Sequence, residues 1–215
     1  MKKATFLWVI MIMIPIFMQG QNNKTKRGYI KFGTGLYLDI SRLSDHKTYK
    51  DTYSGLSPQA VVPGKTIWIE GGYRLNNGLI LSASGMWELT RRKRIDVIYH
   101  DQKALFFQEN YSANVGYEIN LGKRNFFTPS LGLLYNRLTT STADYDISIN
   151  SDHSLSFSNP HIFNRVDEEV GLNISLDYYY LFKNNLFLGI RANTIYLISI
   201  GMEGLTFTPV LGVKF

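Results

Sequence analysis

The feature that most constrains this chain is a two-residue alternation of apolar and polar side chains, repeated in segments of about ten residues, the length of a tilted membrane strand. In residues 28–42, Ile30, Phe32, Leu36, Leu38 and Ile40 share one face, and Lys31, Gly33, Gly35, Tyr37, Asp39 and Ser41 share the other. Successive side chains of an extended strand point to opposite faces, so such a segment is a strand with one apolar surface. The pattern recurs at 65–75, 79–91, 105–121, 126–138, 169–182, 186–196 and 205–215, giving eight strands in one domain with no helical block between them.

The connections carry the next step. Residues 76–78 (Asn76-Asn77-Gly78), 122–125 and 183–185 are short turns, whereas 43–64, 92–104 and 139–168 are long and polar. Short and long alternate. That is the asymmetry of an up-and-down transmembrane barrel with tight periplasmic turns and longer external loops. Within the longest loop, 144–150 and 154–158 alternate weakly and allow a hairpin standing above the membrane. As two further spanning strands they would offer lipid only Tyr145, Ile147, Ile149, Leu155 and Phe157, interspersed with Asp and Asn, too little apolar length.

A soluble ligand-binding barrel also alternates but turns its apolar face inward. The polar set separates the two: it is rich in Gly, Ser, Thr and Asn and carries Glu70, Arg74, Glu88, Glu118, Asp177 and Arg191. A narrow interior needs small residues and mutually neutralising charges, whereas a soluble surface carries more long charged side chains. The apolar set bears aromatics at two levels: Tyr73, Tyr117, Phe127, Tyr180, Phe182 and Phe215 below, and Trp87, Phe107, Tyr135, Tyr196 and Phe207 above. Two girdles are expected where rings meet lipid head groups.

Residues 1–20 read as a cleaved secretory signal peptide: Lys2 and Lys3, an apolar run from 6 to 18, then Gln19-Gly20-Gln21. Residues 21–27 are then a periplasmic tail and 28–215 the barrel. Cysteine is absent, so no disulfide, thiolate metal site or cysteine nucleophile is possible. The net charge of +6, or +4 after removal of residues 1–20, is a poor argument for nucleic acid as a partner.

With this pattern assembled, the chain resembles the small eight-stranded outer-membrane barrels of Gram-negative bacteria typified by OmpA, OmpX and OmpW. The resemblance rests on the signal, the strand number, the turn asymmetry and the terminal "LGVKF". It implies that Phe215, with Val213 and Leu211, is the signal read by the barrel-assembly machinery.

The six interior charges are expected to form a salt-bridged network that leaves at most a narrow pore. Arg42, Lys65, Arg91, Lys93, Lys103 and Arg137 fall on the lipid-facing side at the external rim, where they can hydrogen-bond lipopolysaccharide phosphates. The apolar stretch 196–205 on the opposite side is a candidate protein contact. His46, His100, His153 and His161 lie in external connections, three of them beside an aspartate, but nothing in the spacing fixes their convergence on a metal. Asp152-His153-Ser154 suggests a triad only by adjacency, and neighbouring residues on a strand point apart. The reading is therefore a non-catalytic outer-membrane barrel without cofactor or metal, serving envelope integrity or surface interaction through its long loops. A porin-like channel for small solutes is the alternative, and a lipid-modifying enzyme the weaker one.

Overall fold

The computed structural model describes residues 27–40, 61–93, 103–152 and 154–215. The signal segment, Arg42, His46, His100 and His153 lie outside them. The eight strands are β1 (Gly28–Asp39), β2 (Val62–Arg74), β3 (Leu79–Lys93), β4 (Lys103–Tyr117, continued by Ile119–Asn120), β5 (Asn125–Ile149), β6 (Leu155–Leu181), β7 (Leu186–Leu197) and β8 (Gly201–Lys214). Each pairs antiparallel with its sequence neighbours, and β8 pairs with β1, so the sheet closes on itself. Closure removes the edges that an open sheet would expose.

Local chemistry sets the turns at one end. Gly78 takes a positive φ of 86°, and Asn77 Oδ1 accepts the Leu79 N–H at 3.1 Å, ending β2 and starting β3. Asn120 Oδ1 accepts the Gly122 N–H at 2.9 Å in the β4–β5 turn. Asn185, at φ 68°, does the same work for β6–β7, as Asn tolerates the left-handed region.

The apolar faces point outward. Phe32, Ile67, Leu81, Val115, Leu131, Leu188 and Phe207 are exposed around the ring, with Leu133 at 74% and Ile190 at 64%. Each such side chain gains about 1.5–3 kcal/mol when taken out of water, so a belt of them in water would oppose folding. The solvent that fits this belt is lipid.

One expectation is refined. Residues 139–168 are not an irregular connection: the hairpin allowed at 144–150 and 154–158 is present and extends down to the barrel, since β5 runs on to Ile149 and β6 begins at Leu155, paired almost to the tip. Above the lipid no apolar face is required, so the alternation there is weak although the strands continue. The connections at 43–64 and 92–104 are also shortened, because β2 starts at Val62, β3 reaches Lys93 and β4 starts at Lys103.

Candidate functional site

The interior is where chemistry-bearing residues converge. Lys31 and Glu70 sit opposite each other on β1 and β2, and Asp177 and Arg191 opposite each other on β6 and β7. Strand alternation turns all four inward, and the lumen brings the two pairs together. Lys31 Nζ lies 2.9 Å from Glu70 Oε1 and donates to Asp177 Oδ2 at 2.5 Å. Arg191 donates to both oxygens of Asp177, at 2.6 and 2.8 Å, and to Glu70 Oε2 at 2.5 Å. Tyr29 Oη adds a bond to Glu70 Oε1 at 2.6 Å. Two cations and two carboxylates, all at most 5% exposed, thus cancel across the barrel. An unpaired member would carry a large desolvation cost, which the reciprocal pairing removes.

Trp68 caps this quartet. The Arg191 guanidinium carbon lies 3.9 Å from its ring centroid, and Trp68 Nε1 donates to Thr208 Oγ1 at 2.8 Å.

A second cluster lies toward the end carrying the short turns. Glu118 is 3.0 Å from Arg74 Nε, accepts from Lys214 Nζ at 2.6 Å, and accepts from Tyr179 Oη. Lys214 also stands 4.5 Å from the Phe126 ring centroid and 5.1 Å from that of Tyr179. Phe126 and Tyr179 stack at 5.3 Å, and Tyr179 meets Phe187 at 4.8 Å. This end is filled by rings and by the pairing of Glu118 with both Arg74 and Lys214.

Glu88 belongs to neither cluster. It receives Asn110 Nδ2 at 2.9 Å, Asn110 Oδ1 receives Asn136 Nδ2 at 2.7 Å, and Tyr37 Oη donates to Gln108 at 3.1 Å nearby. The six charges read from sequence are thus divided among separate groups, with Lys31 and Lys214 supplying cations that the six alone lack. Both lysines were legible as inward-facing by parity; their distances to distant strands were not. An interior gap of about 10 Å³ lies beside Glu88 and Gln108 and another of about 10 Å³ beside Trp68 and Arg191, each room for about one water.

On the outside, Lys65 and Arg91 are exposed on β2 and β3. The backbone of Lys93 pairs with that of Lys103 at the end of the β3–β4 ladder. Arg137 is different: its Nη1 lies 3.4 Å from Glu109 and its Nε 3.8 Å from Glu168. Its charge is shared with two carboxylates. Leu211 and Val213 are exposed on the apolar face, and the Phe215 ring lies over Gly28.

In the stretch 196–205, Tyr196, Ile198 and Met202 are exposed. His161 is exposed on β6, and among the described residues no group of His, Cys, Asp or Glu is arranged to hold a metal. Asp152 serves the hairpin tip: its Oδ1 accepts from Ser154 Oγ at 2.6 Å and from Ser154 N–H at 3.0 Å. Those bonds hold its carboxyl below its ordinary range, the side-chain bond contributing most.

No family model matches the sequence, and no curated protein matches it. Solved structures do. Neisserial surface protein A matches at 17% identity and a TM-score of 0.52, over 89% of this chain and 98% of that one. OprG from Pseudomonas aeruginosa matches at 12% identity and 0.51, over 88% and 97%. The N-terminal β-barrel domain of Pseudomonas aeruginosa OprF matches at 17% identity and 0.47, over 90% and 100%. At such identities the likeness is one of fold: this chain has the fold of the small eight-stranded outer-membrane barrels.

Proposed function

We propose that this protein is a non-catalytic barrel of a Gram-negative outer membrane, exported by a cleaved signal at 1–20, that acts at the cell surface through its external segments. The observation that carries the reading is the pairing of an outward apolar belt with a filled, charge-neutralised interior. The belt calls for lipid, and the interior leaves the work to what stands outside.

Lipopolysaccharide is the companion that the basic rim at Lys65 and Arg91 would meet, through charge-assisted bonds to phosphate. Phe215 and the alternate residues Val213 and Leu211 fit the resemblance-based role in assembly. The porin-like alternative is weaker, since the quartet of Lys31, Glu70, Asp177 and Arg191 lies across the path a solute would take. Protease added to intact cells tests the surface reading. Cleavage confined to the β5–β6 hairpin and other external segments supports it, and full protection until the outer membrane is permeabilised contradicts it.

A further inference from the structure

Basic residues crowd the end that carries the short turns. Arg27, Arg74, Lys123, Arg124, Lys183 and Lys214 lie there, and among the described residues Glu118 is the one acidic side chain at that end, a net +5. Arg74 and Lys214 direct their charge onto Glu118, at 3.0 and 2.6 Å. The other cations are placed unevenly around the ring. The β2–β3 turn at 75–78 is uncharged, whereas the β4–β5 turn carries Lys123 and Arg124 and the β6–β7 turn carries Lys183.

The backbone brings these two turns together on one side of the barrel. Asn125 pairs with Tyr180 where β5 meets β6, and Leu181 N–H donates to Arg124 C=O at 2.8 Å. Lys123 and Lys183 therefore leave the ladder from neighbouring strands, and both are exposed. Arg124 Nη1 donates to Tyr180 Oη at 3.2 Å, which turns the guanidinium toward the outward face and leaves the Tyr180 hydroxyl proton to donate elsewhere. Residues 119–126 and 178–190 contain no Asp or Glu, so three cations and a hydroxyl donor gather without a carboxylate in either segment.

The outward surface next to them is apolar. The Phe182 ring meets that of Tyr180 edge-on at 5.1 Å. On β7, Leu186 and Leu188 stand beside Phe182 and Tyr180, and both are exposed. Cations and a hydroxyl suit a phosphate, through charge-assisted hydrogen bonds. The adjoining rings and leucines, continuous with the apolar belt, suit acyl chains. A soluble anion would use only the first of these surfaces. A zwitterionic headgroup would bring an ammonium that neither segment has a carboxylate to receive, so an anionic headgroup fits better.

We propose that Lys123, Arg124, Tyr180 and Lys183 form a binding site for an anionic phospholipid of the periplasmic leaflet, its phosphodiester held between the two turns and its acyl chains laid along Phe182, Leu186 and Leu188. The site rests on the outer-membrane reading for the leaflet it meets.

Native mass spectrometry of the full chain folded in detergent micelles tests it, with heat-modifiable migration as the folding control and single substitutions standing in for any combined variant that does not fold. The probes are phosphatidylglycerol and phosphatidylethanolamine with the same acyl chains. Phosphatidylglycerol should be retained about tenfold more strongly, and Lys123→Gln/Arg124→Gln/Lys183→Gln should remove that preference together with its salt dependence. Tyr180→Phe, which keeps the charges and the ring, should weaken phosphatidylglycerol retention about threefold. Lys123→Arg/Lys183→Arg should keep the preference. Equal retention of the two lipids by the unaltered protein overturns the proposal. So does a preference that survives in the triple variant, or one lost as fully in Lys65→Gln/Arg91→Gln, since either moves the effect to other cations. Competition by glycerol 3-phosphate as effective as that by the lipid would assign the cations to a soluble anion instead. Retention in micelles judges the site alone, so its failure leaves the outer-membrane reading to be judged by fractionation.

Discussion

Phe215 and Gly28 bond each other in both directions: Gly28 N–H donates to Phe215 C=O at 2.9 Å, and Phe215 N–H donates to Gly28 C=O at 2.8 Å. The last residue of the chain thereby closes the barrel on the first residue of β1. A Cβ on Gly28 would lie 2.4 Å from the Phe215 ring, so the ring covers the glycine closely. Deleting Phe215 removes both bonds and should cost about 1–3 kcal/mol in unfolding by urea. If the residue is also an assembly signal, insertion in cells should fall further than that cost explains, and Phe215→Ala, which keeps the backbone bonds, should share the insertion defect. Equal effects on insertion and stability would leave only the closure role.

Arg191 is the most demanding single position inside the barrel. Arg191→Met leaves Glu70 and Asp177 with Lys31 as their one close cation and should destabilise the barrel by about 3–5 kcal/mol. Adding Glu70→Gln to that variant removes the surplus charge and should recover part of the loss. A double-mutant cycle on denaturant midpoints reads the recovery; simple additivity would mean that the two side chains are not coupled.

The same quartet carries a prediction for permeability. Wild-type protein in planar bilayers should show no large, stable conductance. Replacing Trp68 and Arg191 together with Ala removes the cap and the cation beneath it, and should raise conductance. A large wild-type conductance would favour the channel reading.

Gly33 faces Trp68. A Cβ there would stand 2.2 Å from Pro209 O and 2.8 Å from Trp68 Nε1. The first of these is backbone, so Gly33→Ala requires β1 and β8 to separate. Folding yield from urea into detergent should fall well below that of Thr34→Ala on the neighbouring, outward position.

At the rim, Lys65→Glu with Arg91→Glu should reduce lipopolysaccharide retained on purification. Arg137→Ala should change it little, since Glu109 and Glu168 already hold that guanidinium. A larger effect from Arg137 would reverse this ranking.

Strand positions and inward parity were readable because lipid and a narrow lumen impose opposite demands on alternate residues. Lys31, Glu70, Asp177 and Arg191 could all be placed inside on that basis. Their convergence was not readable, since the contact of β1 and β2 with β6 and β7 spans the lumen and depends on strand tilt and stagger. The outer halves of β5 and β6 were legible only as a hairpin within a longer connection, for the converse reason. Above the membrane neither face is forced to be apolar, so the alternation at 144–150 and 154–158 is weak even though backbone pairing continues.

Whether this chain is a membrane barrel is decided by outer-membrane fractionation followed by gel electrophoresis of heated and unheated samples. The protein should be recovered with the outer membrane, and its unheated band should migrate apart from the heated one. Recovery as a soluble periplasmic protein with one heat-insensitive band would contradict a membrane barrel.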